Sequence, residues 1–441
     1  MRRRVLANAA GCVGLLAILA AGCGGVQGQA GEEGMLPGEG FAAVPGVKGG
    51  QDTFGPYDVA ENWPQPMSAS LPGHENWTYS VTMDVFAESP DRILVASQGE
   101  LPLLNRSEME RVRLREVGPS LVFPVNRLPL RQAGAGVPRM TPAEWRAMSQ
   151  AEREEDGRVE GVDFRFEHSI YAVNRDGLIS ETFEQWDDIW VRPHDIEISP
   201  YDPEKHIWIV DAEGHSVRKF TNDMSELVLT LGTPGEPGED DTHLRRPTFL
   251  VFMDANTMYV ADGYDNQRVI KYDMDGNILG QWGETGESGG ETRPGYWYNV
   301  HGIAVDPTTR EVFVNDRENS RVQVFDEDGN YLREWTFDAV RNRSASPMDI
   351  HSFIVTSDRK LWAADQGTHK ILGYDLQGNF LYSWGSWGEY PGGLWGVHGL
   401  STDTEGNFYT ASVNNGRIQK FVPREGANPE FLVGRPWPGV W

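Results

Sequence analysis

The sequence predicts an all-β protein, a six-bladed β-propeller whose first blade carries a partly helical insertion. A pattern of short strands recurs with a period of 47 to 54 residues. Asp-Gly and Gly-Asn turns separate the alternating apolar segments, as in tight β-hairpins. Repeats of this length are typical of propeller blades, because each blade buries its faces only against its neighbours. The second strand of successive copies ends at Asp211, Asp262, Asp316, Asp365 and Ser412.

Residues 1–23 are predicted to be a lipoprotein signal peptide. Three arginines, residues 2–4, precede an apolar run, and Leu-Ala-Ala-Gly-Cys at residues 19–23 is similar to a bacterial lipobox. The motif implies cleavage before Cys23 and acylation of its thiol. We therefore expect a lipid anchor in the cell envelope, with the protein facing the periplasm or the exterior. An ordinary secretory leader is the alternative.

Composition narrows the rest of the chain. Residues 24–56 are rich in Gly, Ala, Glu and Pro, which predicts a flexible tether ahead of a propeller over residues 57–441. Cys12 and Cys23 are the two cysteines, so the propeller has no disulfide and no thiolate ligand or nucleophile. The formal charge of −26 argues against nucleic acid as a partner. We expect a monomer that takes a small-molecule or peptide substrate in its channel.

The turns and closing strands divide the propeller into blades. The predicted blades are residues 78–186, 194–232, 246–283, 299–336, 348–385 and 396–436. An insertion over about residues 103–167 lengthens the first blade. Within it, Thr-Pro-Ala-Glu at residues 141–144 combines an N-cap, a first-turn proline and a capping-box glutamate, which predicts a helix over residues 142–154. We expect the insertion to form a lid or rim over one mouth of the channel.

Three histidines recur at one repeat position. His194, His301 and His398 open the first strands of blades two, four and six. Alternate blades of six lie about 120° apart, so three imidazoles converge there and leave a fourth position open. This pattern is expected of a catalytic metal site, and nitrogen-only ligands favour zinc. His351 has the same register in blade five, and Thr248 has it in blade three. The alternative is a histidine merely tolerated at this strand start.

Two repeat segments resemble NHL repeats, and specifically those of peptidyl-α-hydroxyglycine α-amidating lyases. They are Asp-Arg-Glu-Asn-Ser-Arg-Val-Gln at residues 316–323 and Asp-Gly-Tyr-Asp-Asn-Gln-Arg at residues 262–268. The likeness extends over nearly all of residues 62–421, and includes Arg-Pro-Thr at residues 246–248 and Val-His-Gly-Leu at residues 397–400.

The resemblance implies a reaction and a set of residues. It implies zinc held by His194, His301 and His398, and a catalytic tyrosine at Tyr264. The implied reaction cleaves a carbinolamine N–C bond and releases a peptide amide and glyoxylate. A metal on the substrate hydroxyl favours the alkoxide, and a tyrosinate can accept the proton.

The chain departs from the family at two places. The family has an arginine in blade one where this chain has Gln98, and a neutral amide offers no cation to a tyrosinate or carboxylate. Gln98 and Arg317 are the candidate substrate-binding residues, and Arg192 is a second arginine that could face the same mouth. The family also has a calcium-binding carboxylate after its third zinc histidine, where this chain has Gly399. The sequence therefore leaves calcium binding open, although the backbone carbonyl of Ile196 matches a calcium ligand of the family.

Two classes of function follow. The first is a zinc-dependent lyase-like enzyme, favoured by Tyr264 together with the three histidines. The second is a non-catalytic NHL propeller, anchored to the envelope, that binds a protein, peptide or glycan; Gln98 in place of the arginine favours it. A calcium-dependent lactonase is less favoured, because such sites use oxygen ligands rather than a histidine ring.

Overall fold

The computed structural model describes residues 53–103, 111–113, 122–124, 136–337 and 350–435. Within these ranges the chain forms six four-stranded sheets. The first strands of successive sheets contact one another in a closed ring that also joins the last sheet to the first. The predicted six-bladed β-propeller is therefore confirmed.

Some predictions fall outside these ranges. Residues 1–52 hold the predicted signal peptide, Cys23 and nearly all of the predicted tether. The first half of the insertion is described only at two short antiparallel strands, Arg111–Arg113 and Val122–Pro124. Among the described residues, no helix is both long and apolar enough to cross a membrane.

Each blade has its first strand at the channel and its other strands further out. Blade one contains Thr82–Ser89, Arg92–Ser97, Ile170–Val173 and Ile179–Thr182. Blade two contains Pro193–Ile198, Ile207–Asp211, Ser216–Phe220 and Leu227–Leu231. Blade three contains Leu250–Asp254, Thr257–Asp262, Arg268–Asp273 and Ile278–Trp282. Blade four contains Val300–Asp306, Glu311–Asp316, Arg321–Asp326 and Tyr331–Thr336. Blade five contains Ile350–Val355, Lys360–Asp365, Lys370–Asp375 and Phe380–Trp384.

Blade six is completed by the N-terminal end of the propeller. Its own strands are Val397–Thr402, Phe408–Ser412 and Arg417–Pro423, and the fourth is Tyr57–Val59, which pairs antiparallel with Arg417–Pro423. The ring of Tyr57 is fully buried, and its hydroxyl accepts a hydrogen bond from the Val433 backbone N–H at 2.7 Å. The two ends of the propeller thus close the ring. The predicted blade of residues 396–436 did not anticipate this exchange.

Shorter elements flank the blades. Two further strand pairs are Trp77–Tyr79 with Glu100–Pro102, and Glu284–Thr285 with Tyr296–Trp297. The 3-10 helices are Met67–Ala69, Glu184–Ile189, Arg317–Asn319 and Pro429–Phe431.

The insertion contains two short helices rather than the single one predicted over residues 142–154. They are Pro142–Ala147 and Gln150–Asp156, and each begins with a capping box. Met148 between them has extended backbone, and Ser149 caps the second helix with Glu152 as its partner. The second capping box was present in the sequence and breaks the helix, because an N-cap residue adopts non-helical backbone.

The core lies in layers between neighbouring blades. The strand Ile207–Asp211 is buried at every position, since both faces of its sheet are covered. Between blades three and four, Tyr259 and Val269 pack with Val312 and Phe325. Removing these apolar faces from water stabilises the radial order of the blades. That order sets the positions of the inner strands, and with them the residues of the channel.

Candidate metal centre

Three histidines meet in the channel, each at the second residue of an inner strand. His194, His301 and His398 are at most 2% exposed. At each of them the ladder to the next strand has a register irregularity. A β-bulge re-aims a side chain and bends its strand. The recurrent bulge therefore explains how a strand position can project its imidazole toward the axis.

The outer nitrogen of each imidazole faces a backbone carbonyl. His194 Nδ1 lies 2.7 Å from the Thr248 oxygen, and His398 Nδ1 lies 2.8 Å from the Met83 oxygen. His301 Nδ1 is 2.5 Å from the His351 oxygen. A carbonyl only accepts, so each Nδ1 carries the proton and donates it. The lone pair of every Nε2 is then free to face the channel.

Two of the three Nε2 atoms share a single hydroxyl. Tyr264 Oη is 3.0 Å from His194 Nε2 and 2.9 Å from His301 Nε2. His398 Nε2 is buried and has no hydrogen-bond partner in the part of the chain that the structure describes. One phenol supplies one proton, so it can satisfy one of three buried lone pairs. One cation would satisfy all three, and the ligand nitrogens lie within 4.8 Å of one another. The site therefore fits the tetrahedral three-histidine arrangement of zinc.

The charge state of the histidines suits metal ligands. Burial lowers the pKa of all three imidazoles well below the ordinary value. Nearby guanidinium groups act in the same direction, Arg192 on His194 and Arg317 on His301. Neutral imidazole is the form that ligates a metal.

Residues of blades three and five orient the ligands. Thr248, which replaces histidine at the repeat position, accepts from His194 and donates its hydroxyl to the His301 carbonyl at 2.8 Å. The His351 carbonyl accepts from His301, and the His351 ring bonds the Val397 carbonyl at 3.1 Å. Burial lowers the pKa of His351 to about 3. His351 is thus a neighbour of the cluster rather than one of its three converging members.

Phe249 is a residue of the site that the sequence did not reveal. Its ring centroid is 5.1 Å from that of His194, 5.2 Å from His301 and 5.3 Å from His398, where it stacks. Only the neighbouring Thr248, at the repeat position, could have pointed to it. An apolar ring against three ligands excludes water from one side of the cluster.

Arginines surround the Tyr264 ring. The guanidinium carbon of Arg246 is 4.6 Å from the ring centroid, that of Arg317 is 5.3 Å away, and that of Arg192 is 6.0 Å away. The candidate Arg317 therefore lies beside Tyr264. Gln98 is buried, and within the described ranges its side-chain nitrogen has no hydrogen-bond partner. Among the described residues, no hydrogen bond joins Gln98 to Tyr264.

A group of three acidic side chains lies further along the inner strands of blades one and two. Asp84, Asp195 and Glu197 bring their oxygens within 4.8 Å of one another. Burial raises the pKa of each carboxyl. A Cβ on Gly399 would lie 2.2 Å from Asp84 Oδ1, so Asp84 occupies the space beside the residue where the family has its carboxylate. Calcium at this place stays a prediction.

The fold and the site define a six-bladed β-propeller with three converging histidines in its channel. A family model for the NHL repeat matches residues 298–325. A probable peptidyl-alpha-hydroxyglycine alpha-amidating lyase of Caenorhabditis elegans is 33% identical over 157 residues, 36% of this chain and 43% of that protein. NHL repeat-containing protein 3 of Mus musculus is 37% identical over 152 residues, 32% of this chain and 42% of that protein.

The chain therefore spans less than half the length of these two curated relatives. Among solved structures, an inactive virginiamycin B lyase from Staphylococcus aureus aligns over 83% of this chain and 98% of its own, with a TM-score of 0.45 and 12% identity. That likeness is too weak to bear on function. The predicted resemblance to NHL propellers and amidating lyases is confirmed.

Proposed function

We propose that this protein is a zinc-dependent lyase that cleaves the N–C bond of a carbinolamine, as in a peptidyl-α-hydroxyglycine, to an amide and glyoxylate. The observation that carries the proposal is Tyr264 Oη within hydrogen-bond reach of two histidines whose Nε2 lone pairs converge with a third. The relatives named as amidating lyases, at modest identity, support the same chemistry.

Each group has a defined task in this proposal. His194, His301 and His398 would hold zinc, which when bound would supply a Lewis acid that favours the alkoxide of the substrate hydroxyl. Tyr264, in its ionised form, accepts the proton of that hydroxyl. Phe249 covers one side of the histidines and keeps water away from the reacting group. Formation of the carbonyl then breaks the C–N bond, and the leaving amide nitrogen takes up the proton that Tyr264 accepted.

The direct test offers a short peptidyl-α-hydroxyglycine to zinc-loaded protein and follows glyoxylate. We expect release above the spontaneous rate, and we expect a chelator to abolish the excess. His398→Ala is the matched negative control, because its imidazole is one of the three ligands. Release no faster than the spontaneous rate from zinc-loaded wild type would refute the lyase assignment.

The second candidate is a non-catalytic propeller on the cell envelope that binds a protein, peptide or glycan. Gln98 favours it, because its amide has replaced the family arginine and has no described hydrogen bond to Tyr264. A relative named only for its NHL repeats is compatible with this candidate. Zinc-loaded wild type that binds a peptidyl-α-hydroxyglycine without turnover would favour it.

A further inference from the structure

A group of arginines from separate parts of the chain meets above Tyr264. Arg139 comes from the insertion, Arg192 precedes blade two, and Arg246 precedes blade three. All three contact the same carboxylate oxygen, Glu213 Oε1, at 3.4, 3.4 and 3.0 Å respectively. Glu213 therefore holds three guanidinium groups together at one place.

The positive charge of this group exceeds the negative charge that contacts it. Asp265 is the second carboxylate, and it is shared between Arg246 at 3.5 Å and Arg245 at 3.8 Å. Four guanidinium groups thus face two carboxylates. Such an excess stands out in a chain whose formal charge is −26. A surplus of cations in one place attracts an anion.

Two of these arginines have N–H groups without an acceptor. The Nε atoms of Arg192 and Arg246 are buried and have no hydrogen-bond partner among the described residues. A buried donor left without an acceptor is destabilising, and a hydrogen bond to a charged acceptor offsets that loss. Both side chains lie beside Tyr264. Both Nε–H donors are therefore placed to bind an anion beside the tyrosine.

The main chain fixes Arg246 against Tyr264. The Tyr264 backbone N–H donates to the Arg246 carbonyl at 3.2 Å, and the Arg246 N–H donates to His215 Nδ1 at 3.1 Å. Arg246 also has a left-handed backbone, with φ of 58°. The Arg246 guanidinium carbon lies 4.6 Å from the centroid of the phenol ring. The contacts that position the Arg246 backbone come from His215 and Tyr264, neither of which belongs to blade one.

We propose that Arg246 and Arg192 form a carboxylate-binding site beside Tyr264 and supply the positive charge that Gln98 does not. The ligand is a carboxylate close to the reacting carbon, as in an α-hydroxy acid. Its identity as substrate rests on the proposed function, whereas the binding site itself can be tested without turnover. A guanidinium fork suits the two oxygens of a carboxylate.

The test measures binding of hippurate, which has the carboxylate but no hydroxyl, to zinc-loaded protein by titration calorimetry. Benzoylglycinamide is the neutral counterpart of this probe. We expect hippurate to bind wild type more tightly than the amide, and Arg246→Gln and Arg192→Gln to weaken hippurate at least about tenfold while leaving the amide unchanged. Arg153→Gln is the matched control, because it removes the same charge from an exposed helix position outside this group.

The outcomes separate this site from the proposed reaction. Hippurate binding that Arg246→Gln leaves unchanged, or that Arg153→Gln weakens equally, overturns the carboxylate site even if glyoxylate is released. A wild type that does not prefer hippurate over the amide overturns it too. Arginine-dependent hippurate binding without glyoxylate release supports the site and refutes only the reaction. Zinc content and thermal unfolding of each variant verify that its fold is intact.

Discussion

At the scale of single residues, the site depends on protons whose positions the backbone dictates. The carbonyls of Thr248, His351 and Met83 each accept a hydrogen bond from the Nδ1–H of one histidine. Orienting a ligand through its other ring nitrogen is the usual role of such partners in metal sites. Here main-chain carbonyls orient the three histidines, so their orientation depends on the backbone rather than on the side chains of the partner residues.

The first prediction concerns Tyr264 as proton acceptor. Tyr264→Phe removes the hydroxyl between two histidines and keeps the ring packed among the arginines. We expect unchanged zinc content and a loss of kcat on the order of 10²- to 10⁴-fold. Steady-state glyoxylate release and elemental analysis of the same preparation measure both quantities. A variant with wild-type kcat would show that another group accepts the proton.

At the scale of elements, the end of the insertion joins the propeller at one buried residue, Glu100. Glu100 bonds His168 Nδ1 at 2.6 Å with one oxygen and His74 Nδ1 at 3.0 Å with the other. Arg165 of the insertion pairs with Glu100 through the backbone in both directions. Glu184 lies 3.3 Å from the second nitrogen of His168. This imidazole therefore has a carboxylate at each nitrogen.

The second prediction is a pH dependence of stability through His168. Burial lowers its pKa, but the hydrogen bond and charge of Glu100 outweigh burial, so the folded pKa is raised. The stabilisation is complete below the unfolded value of about 6.5 and is lost as pH rises through the folded value. In urea unfolding, we expect His168→Gln to lower the free energy of unfolding more at pH 5.5 than at pH 8.5.

The comparison of wild type with His168→Gln isolates this histidine from the other titrating groups. Exposed Gln150→Ala is the control, because it removes no titrating group and should change the free energy of unfolding equally at the two pH values. An equal effect of His168→Gln at the two pH values would contradict the raised pKa.

At the scale of the whole molecule, the sequence repeats predicted the blades and the convergence of three histidines. The recurrence of His194, His301 and His398 at one strand position was sufficient to predict that they converge, because equivalent positions of a propeller face one axis. The closing strand Tyr57–Val59 was missed, because three residues carry no hairpin signal of their own. Arg246 was missed as well, because its place beside Tyr264 depends on loops and on Glu213 rather than on the repeat.

The third prediction concerns Cys23 and the location of the molecule. The lipobox-like residues 19–23 predict acylation of the Cys23 thiol, with the propeller facing away from the cytoplasm. Labelled fatty acid should enter the wild-type chain and not Cys23→Ser, while Cys12→Ser should label as wild type. Equal labelling of wild type and Cys23→Ser would reject the anchor.

The central claim is that three histidines from alternate blades hold one zinc ion. Elemental analysis of purified wild type, of His194→Ala, His301→Ala and His398→Ala, and of His351→Ala tests it most directly. We predict about one zinc per wild-type chain and loss of most of it in the three ligand variants, because two imidazoles leave an incomplete site. His351→Ala should keep its zinc, since the His351 ring bonds the Val397 carbonyl and does not converge with the three ligand nitrogens. A wild type without metal, or unchanged metal in all three ligand variants, would contradict the account.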